Sequence, residues 1–124
     1  MDVVVLIDGK TVAFKATAAV PRLYRIKFRR DIIQDMQMVK KALEAKEANG
    51  ENIPVEAVEL FENMAYVMAK HAAPDTVPKT PEEWLDGFNA FSIYSIFPVI
   101  RALWDGNMES LVEAKKKLEQ LSAK

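Results

Sequence analysis

An Asp-Gly pair near the start of the chain constrains the fold more than any other feature of the sequence. Asp8 and Gly9 separate two runs rich in β-branched residues, 3–7 and 11–16. A two-residue hairpin turn requires positive φ at both central positions, which Asp and Gly tolerate better than most residues. We therefore predict that residues 1–17 form a β-hairpin.

The turn also sets the register of this hairpin. A two-residue turn places Val5 opposite Val12 and Val3 opposite Phe14, so these four side chains and Ile7 share one apolar face. An isolated pair of strands is only marginally stable in water. We expect the apolar face to lie on helices, or the open edge of the hairpin to pair with another chain.

The rest of the chain has the apolar spacing of three and four that is typical of amphipathic helices. We predict about five or six helices in residues 18–124. The predicted fold class is therefore mainly α (α+β), with an N-terminal β-hairpin followed by helices in one compact domain, residues 1–124. A chain of 124 residues that is 50% hydrophobic can bury a core of its own.

Two helices are marked by their ends as well as by their spacing. The first begins after Asp31, a residue type that caps helix N-termini, and ends at Asn49-Gly50. Its predicted apolar stripe is Ile32, Ile33, Met36, Val39 and Leu43. The second runs from Pro54 to Ala72 and has the cleanest amphipathic pattern in the chain. Its predicted apolar face is Ala57, Val58, Phe61, Met64, Ala65, Met68 and Ala72.

The second half of the chain is predicted to hold the centre of the core. Thr80 and Pro81 mark a helix start, with Thr80 as the cap and Pro81 in the first turn. Residues 91–104 are apolar on nearly every side, so we expect a central helix there, bent at Pro98. A turn at Asp105-Gly106-Asn107 then leads into a last helix. The predicted stripe of that helix is Met108, Leu111, Ala114, Leu118 and Leu121.

Composition excludes several classes of function. Lys and Arg number 17 and Asp and Glu number 18, so no global positive field draws the chain to DNA or to an anionic membrane. Cysteine is absent, which excludes disulfides and thiolate metal sites. The N-terminus lacks a signal-peptide pattern, and the most apolar segment is too short to span a bilayer. We expect a soluble cytoplasmic protein that has no membrane partner.

The sequence has no recognisable catalytic motif. His71 is the only histidine and has no second histidine, cysteine or spaced acid beside it, so we interpret it as structural. Glu56, Glu59 and Glu62 recur every three residues, but they lie on the polar face of their helix and are interpreted as solvated. We therefore expect no enzyme activity, no cofactor and no metal site.

A basic stretch supplies the main candidates for partner binding. If residues 20–30 form a helix, Tyr24 and Phe28 belong to the core. The opposite side of that helix then carries Arg22, Arg25 and Arg29. Met38 is a further candidate, because it faces away from the apolar stripe of its own helix.

Two uses of the three arginines stay open. They can contact phosphates, which would make the protein a small nucleic-acid-binding regulator. Three arginines make few phosphate contacts, and the sequence has no known nucleic-acid-binding motif, so nucleic acid is the less favoured partner. They can instead neutralise the acidic regions 49–72 and 73–89, within the domain or in a neighbouring copy. A third alternative for the function of the protein is a generic helical adaptor.

Several segments, in order along nearly the whole chain, resemble a known protein family. These segments are IDGKTVAFK, AVPRLYRIKFRRDIIQDM, AVELFENMAYVMAKHA, EEWLDGF with its FSIY continuation, and EAKKKLEQL. Together they resemble the short tail assembly chaperones encoded by siphophages and prophages of Gram-positive bacteria. The shared features are packing patterns and not catalytic motifs. Near position 29, where the family pattern leads us to expect a turn-forming residue, this chain has Arg29.

The resemblance implies a non-enzymatic assembly factor that works in the host cytoplasm. Such a protein coats the long, helix-rich tape measure protein and keeps it soluble until the major tail protein polymerises around it. It is then expected to be absent from the mature virion. Self-association is also expected, because a coat needs many weak and repeated contacts.

The final candidate lies in the EAKKKLEQL segment. On a helix, the Lys115 side chain would lie on the apolar stripe beside Leu111 and Leu118. Its methylene groups would pack against them, and its ammonium group would stay in water. The resemblance adds a second reading, because genes of that family often make a longer product by a −1 ribosomal frameshift. Consecutive lysine codons are A-rich, so we hypothesise a frameshift near Lys115–Lys117 that gives some chains a C-terminal extension for recruiting the tape measure protein.

Overall fold

The structure is a computed structural model that describes residues 2–50, 52–90 and 92–106. Within these residues a two-stranded antiparallel hairpin is followed by five helices in a compact, mainly α fold, which confirms the predicted fold class. The described elements are β1 Asp2–Ile7, β2 Lys10–Lys15, α1 Val20–Phe28, α2 Ile32–Asn49, α3 Val55–Ala72, α4 Pro81–Leu85, a 3₁₀ turn Ser92–Ile96, and α5, residues 97–106.

The hairpin has the predicted turn and the predicted register. Asp8 and Gly9 both have positive φ, 54° and 76°, the backbone that a two-residue turn needs. Val5 pairs with Val12, and the pairing of Val3 with Phe14 follows from the same register. On the predicted inner face, Ile7 and Phe14 are buried, and the three valines are half-buried.

The inner face of the hairpin lies on helices, as predicted. β2 contacts α3, and β1 contacts the 3₁₀ turn. The outer face of β1 carries Val4 and Leu6, which are 63% and 70% exposed. Within the described ranges no third strand pairs with the hairpin, so each strand keeps one edge without a strand partner.

The tip of the hairpin is held to the segment that follows α4. The carboxylate of Asp8 accepts hydrogen bonds from the backbone N–H of Asn89, at 2.8 Å, and from the Ser92 hydroxyl. These two hydrogen bonds lower the pKa of Asp8, with the Ser92 bond having the larger effect. On the other side of the turn, the Lys10 ammonium donates to the Gly87 carbonyl at 2.7 Å. Asp8 of the turn and Lys10 of β2 thus join parts of the chain that are far apart in sequence.

The first helix ends at a residue in the left-handed conformation. α1 stops at Phe28, and Arg29 takes the left-handed conformation with φ 59°, while its N–H still donates to the carbonyl of Arg25. A left-handed residue after the last turn is a common helix ending. The helix thus does not reach Arg30, and Arg29 occupies the break between α1 and α2, where the family resemblance led us to expect a turn-forming residue. Asp31 caps α2 as predicted, accepting from the N–H of Ile33.

The buried side of α2 differs from the prediction at two positions. Ile32, Met36 and Val39 are buried, but Ile33 is 41% exposed and Asp35 is buried. Because successive helical residues are rotated by about 100°, a face centred on Ile32 and Met36 turns Ile33 toward solvent. The same rotation brings Asp35 to the edge of the core, where it finds polar partners.

α3 is the central helix of the described fold. It contacts β2, α1, α2 and α4, so its buried residues exceed the single stripe predicted for it. The buried residues are Ala57, Leu60, Phe61, Met64, Ala65, Tyr66, Val67, Met68 and Ala69. Val58 and Ala72, which were predicted on the apolar face, are only half-buried. The helix ends where predicted, at Ala72.

Segment 92–106 is not the central helix that its composition predicts. It forms the 3₁₀ turn and then α5, and its buried residues are Ile93, Ile96, Ile100, Leu103 and Trp104. Tyr94 is 37% exposed and Pro98 is exposed, so one side faces solvent. Pro98 lies in the first turn of α5, where a missing N–H costs little, and it does not bend a continuous helix.

The predicted turn at Asp105-Gly106-Asn107 is wrong at its first two residues. Asp105 and Gly106 continue α5. The Asp105 carboxylate accepts from the Lys40 ammonium of α2 at 2.5 Å and lies 3.9 Å from the Arg101 guanidinium. These two cations favour a helical Asp105 that faces α2. Asn107 and the predicted last helix lie outside the described residues.

The start of α4 agrees with the prediction. Thr80 is the N-cap, its hydroxyl accepts from the N–H of Glu83 at 3.2 Å, and Pro81 lies in the first turn. The short helix brings Trp84 into the core, where its ring makes edge contacts with Phe14 and Tyr66. α4 thereby connects the hairpin to α3.

Candidate partner-binding surface

The arginine candidates divide into two groups in the structure. Arg22 and Arg25 lie on the exposed side of α1, whose buried residues are Val20 and Tyr24, as the spacing predicted. Arg29 is also exposed, but it lies in the left-handed cap and not on the helical stripe. The structure therefore brings together two of the three predicted arginines.

The expected neutralisation of acidic regions inside the domain does not involve these arginines. Among the described residues, the side chains of Arg22, Arg25 and Arg29 form no hydrogen bond or ion pair. The neighbouring Arg30 does form one, with Asp35 of α2. Pairing of the three arginines with a neighbouring copy stays a prediction.

Arg30 belongs to a polar cluster that joins α1 to α2. Its guanidinium donates two hydrogen bonds of 2.8 Å to the Asp35 carboxylate, one to each oxygen. The Tyr24 hydroxyl donates a third bond of 2.6 Å to the same carboxylate. Burial alone would raise the pKa of Asp35, but the hydrogen bonds from Arg30 and Tyr24 and the charge of Arg30 lower it below its ordinary value. The cluster is structural, because its donors and acceptors satisfy one another.

An apolar groove of about 580 Å³ lies between α1, α3 and the connector before α4. We call it the α1–α3 groove. On the α1 side it is lined by Leu23, Ile26 and Lys27. The α3 side and the connector contribute Tyr66, Val67, Lys70, His71, Pro74 and Lys79. Leu23 is 37% exposed and Ile26 is 62% exposed, so the α1 wall of the groove is open to solvent.

Three lysines line this groove, and no acidic residue does. The Lys27 ammonium donates to the carbonyl of Lys79 at 2.8 Å, and the Lys70 ammonium donates to the carbonyls of Pro74 and Val77 at 2.7 Å. Carbonyl acceptors hold these ammonium groups in place but do not neutralise their charge. In the part of the chain that the structure describes, Lys27, Lys70 and Lys79 form no ion pair with a carboxylate. The groove is therefore apolar inside with three lysines at its rim. Nearby acids are outside the lining: after burial, the charges of Glu83 and Glu82 raise the pKa of Tyr66.

His71 lines the groove, and it also makes a structural contact, as predicted. Its Nε2 is 2.8 Å from the Thr17 hydroxyl, so the histidine ties α3 to the segment between β2 and α1. The side chain is half-buried. No group of three or more histidine, cysteine or acidic residues in the described ranges is arranged to hold a metal ion.

The remaining predicted candidates are not part of this groove. Met38 is 47% exposed on α2, which agrees with the prediction that it faces away from the stripe. Lys115 lies outside the described residues. None of the described helices is long and apolar enough to cross a membrane.

Sequence reasoning did not identify the groove, although a signal for it was present. Leu23 and Ile26 interrupt the basic residues of α1 at positions that do not share the face of Val20 and Tyr24. An apolar pair off the core face of a short helix indicates a second apolar surface. The opposite wall comes from α3 and the connector, which only the tertiary structure brings close.

Comparisons with known proteins give no family assignment. No protein-family model matches the chain, and we find no matching curated protein or solved structure.

Proposed function

We propose that the protein is a non-enzymatic phage tail assembly chaperone that binds the tape measure protein and promotes assembly of the tail tube from the major tail protein. The resemblance of the ordered segments to that family motivates the proposal. The observation that supports it is the set of exposed large apolar side chains on a domain that has a separate, well-packed core.

We assign four such side chains, on β1, α1 and α2, to this surface. Val4 and Leu6 of β1 are 63% and 70% exposed, Ile26 of α1 is 62% exposed, and Met38 of α2 is 47% exposed. Single exposed apolar residues are common on soluble proteins. A repeated set on one small domain suits a protein that makes many weak contacts along an extended, helix-rich partner.

Self-association is part of the same proposal. The hairpin has strand edges that no third strand in the described ranges covers, and such edges are ready to pair with another chain. Copies that meet through these edges would form a coat along the partner. Light scattering of the purified full chain over a range of concentrations tests this part, and a monomer throughout would exclude it.

Co-expression tests the proposed function directly. The tape measure protein encoded by the same phage or prophage genome is produced with and without this chain. We expect it to be soluble and to copurify only when this chain is present. A tape measure protein that is insoluble in both cases, or soluble without help, would overturn the proposal. In the genome, a major tail protein gene upstream and a very long gene downstream are expected.

Two further parts of the proposal have separate tests. We propose that the protein acts in the host cytoplasm, so peptides from it should be absent from purified virions in mass spectrometry. We also propose the frameshifted longer form. An A-rich slippery heptamer at the codons of Lys115–Lys117, with an open −1 frame beyond Lys124, would support it, and an early stop in that frame would exclude it.

A nucleic-acid-binding regulator is the second candidate, because Arg22 and Arg25 are exposed on the same side of α1 and form no ion pair with any described residue. We propose that nucleic acid is not the partner, since two arginines on a near-neutral protein make few phosphate contacts. A DNA-binding titration at several salt concentrations tests this. Tight binding that weakens steeply with salt and is lost in an Arg22→Glu/Arg25→Glu/Arg29→Glu variant would favour the regulator.

A further inference from the structure

We infer that the α1–α3 groove binds one amphipathic helix of the partner, whose apolar stripe carries acidic residues beside it. This inference rests on the proposed function, because it specifies the part of a helix-rich partner that this surface accepts. It is carried by the shape of the groove and by the unneutralised cations around it.

The shape favours a polypeptide helix as the occupant. The groove runs between α1 and α3, and an amphipathic helix is commonly bound in an apolar groove between helices through side chains at i, i+3 or i+4, and i+7. A small apolar ligand is usually enclosed on most of its surface. Here Ile26 is 62% exposed and Leu23 is 37% exposed, so one wall is open and can meet a wide partner surface.

The positive charge at the rim of the groove indicates which residues flank the apolar stripe of the bound helix. Lys27 and Lys70 are fixed by backbone carbonyls, and Lys79 lies at the same rim. Arg22 extends the cationic border, because it precedes Ile26 by four residues and is therefore its neighbour on the helix surface. Since no acid lines the groove, acidic side chains on the bound helix are favoured and basic ones are repelled.

The first experiment measures binding of designed peptides to the full chain by fluorescence anisotropy. One peptide is an amphipathic helix with a leucine stripe flanked by glutamates, and the other has lysines in place of those glutamates. We expect the acidic peptide to bind at least about tenfold more tightly than the basic one. Equal binding of the two peptides, or tighter binding of the basic one, would overturn the inference.

Ile26→Glu tests the site, with Val55→Glu, at the start of α3, as the matched control. Ile26 and Val55 are 62% and 77% exposed, so both variants should fold, and melting temperatures equal to that of wild type would verify this. We expect Ile26→Glu to weaken binding of the acidic peptide by more than about tenfold, because it places a carboxylate against the apolar stripe of the peptide. Val55 does not line the groove, so Val55→Glu should leave the affinity within about twofold. Equal losses in the two variants would place the peptide elsewhere.

Lys79→Glu tests the charge of the rim. The Lys79 ammonium donates no hydrogen bond in the described part of the chain, so reversing its charge leaves the contacts of Lys27 and Lys70 in place. We expect the variant to bind the acidic peptide more weakly and the basic peptide more tightly. Lys41→Glu, at an exposed position of α2, should change neither. Unchanged peptide preference in Lys79→Glu would overturn the inference.

The tape measure protein distinguishes this inference from the function on which it rests. If wild type keeps that protein soluble and Ile26→Glu does not, both proposals are supported. If both chains keep it soluble, the chaperone function stands and the groove is not its binding site. If neither does, the function fails, and the peptide measurements alone decide whether the groove binds a helix.

Dodecanoate, a small apolar ligand, tests the alternative occupant of the groove. If dodecanoate does not displace the bound peptide, the helix is supported as the occupant. If dodecanoate binds and neither peptide does, the inference is overturned.

Discussion

Helix α3 and segment 92–106 are both rich in apolar residues, yet they are buried to different extents. α3 has buried residues on several sides, including the adjacent Tyr66 and Val67, because β2, α1, α2 and α4 all contact it. Segment 92–106 buries residues on one side and leaves Tyr94 and Pro98 exposed. Apolar content therefore requires burial of a segment, but the number of neighbouring elements decides how many of its sides are covered.

One aromatic contact joins the two regions and allows a direct comparison. The rings of Phe61 in α3 and Phe97 in α5 stack with their centroids 4.0 Å apart and their planes at 5°. Phe61 is 1% exposed, whereas Phe97 is only partly buried. The two phenylalanines of this stack therefore differ in position, because Phe61 is in the centre of the core and Phe97 is at its edge.

The largest effect is expected for Phe61→Ala. Truncating a fully buried phenylalanine removes its apolar contacts and leaves a cavity, so we expect a loss of about 3 to 5 kcal/mol in the free energy of unfolding. Urea unfolding followed by circular dichroism measures it. A loss below about 1 kcal/mol would contradict the central position of α3.

Asp35→Ala tests how much the polar cluster of Tyr24, Arg30 and Asp35 stabilises the packing of α1 on α2, two helices that both contact α3. The variant leaves the buried Tyr24 hydroxyl without its acceptor, while Arg30, whose side chain is 49% exposed, can return to water. We expect a loss of about 2 to 3 kcal/mol in the free energy of unfolding. Asp75→Ala, at an exposed loop position, is the control and should be near neutral. Equal effects of the two variants would exclude a role for the cluster.

The pH dependence of the Asp35 effect has a definite sign. The pKa of Asp35 is lowered in the folded protein, so its contribution is present above its ordinary value of 3.8 and is lost as the pH falls through the folded pKa. The stability difference between wild type and Asp35→Ala should therefore be constant near neutral pH and shrink in acid. A difference that grows in acid would contradict the ionised, hydrogen-bonded carboxylate.

Phe97→Ala is expected to cost less than Phe61→Ala. Because Phe97 is only partly buried, we expect a loss of about 1 to 2 kcal/mol. The double variant sharpens the comparison, since stacked rings should give a coupling free energy of about 0.5 to 1.5 kcal/mol. If Phe97→Ala costs as much as Phe61→Ala, segment 92–106 is as central as its composition predicts, and the comparison fails.

The smallest effect concerns Glu62, on the less buried side of α3. Burial raises the pKa of this half-buried side chain, and the charge of Glu59 raises it further. Protonation then favours the folded state, so the stabilising effect grows as the pH falls from neutral toward the ordinary value of 4.5. We expect Glu62→Gln to be more stable at neutral pH by a few tenths of a kcal/mol and to lose this pH dependence.

Glu44→Gln, at an exposed position of α2, is the control for Glu62→Gln. Urea unfolding of both variants across this pH range makes the measurement. If the two substitutions have the same effect on the pH dependence, the polar side of α3 is fully solvated, and burial of α3 is confined to one stripe.

Local patterns predicted the ends and types of most elements. The Asp8-Gly9 turn, the Asp31 cap and the Thr80 cap each depend on hydrogen bonds or φ values within a few residues of one another. Such interactions are encoded locally, so they could be predicted from sequence. The helical spacing gave no such signal at Arg29, because a left-handed non-glycine residue is not marked by its local pattern, and only the family resemblance indicated a turn there.

The candidate surface was predictable only in part. The exposure of Arg22, Arg25 and Met38 follows from their spacing relative to the apolar stripes of their helices. The groove was not predicted, because its walls come from α1, from α3 and from the connector after α3, which are close only in the folded chain. Nothing in the local pattern of Lys70 or Lys79 indicates that they share a rim with Lys27.

The sequence alone determined where the chain turns, because Asp8 and Gly9 tolerate positive φ in any context. It also determined the hairpin register, since a two-residue turn at Asp8-Gly9 permits one pairing, which places Val5 opposite Val12 and Val3 opposite Phe14. Only the tertiary structure decided that the Asp8 carboxylate would accept hydrogen bonds from Asn89 and Ser92. That contact closes a long loop, so it forms only when packing of the hairpin on α3 and the 3₁₀ turn offsets the entropy of closure.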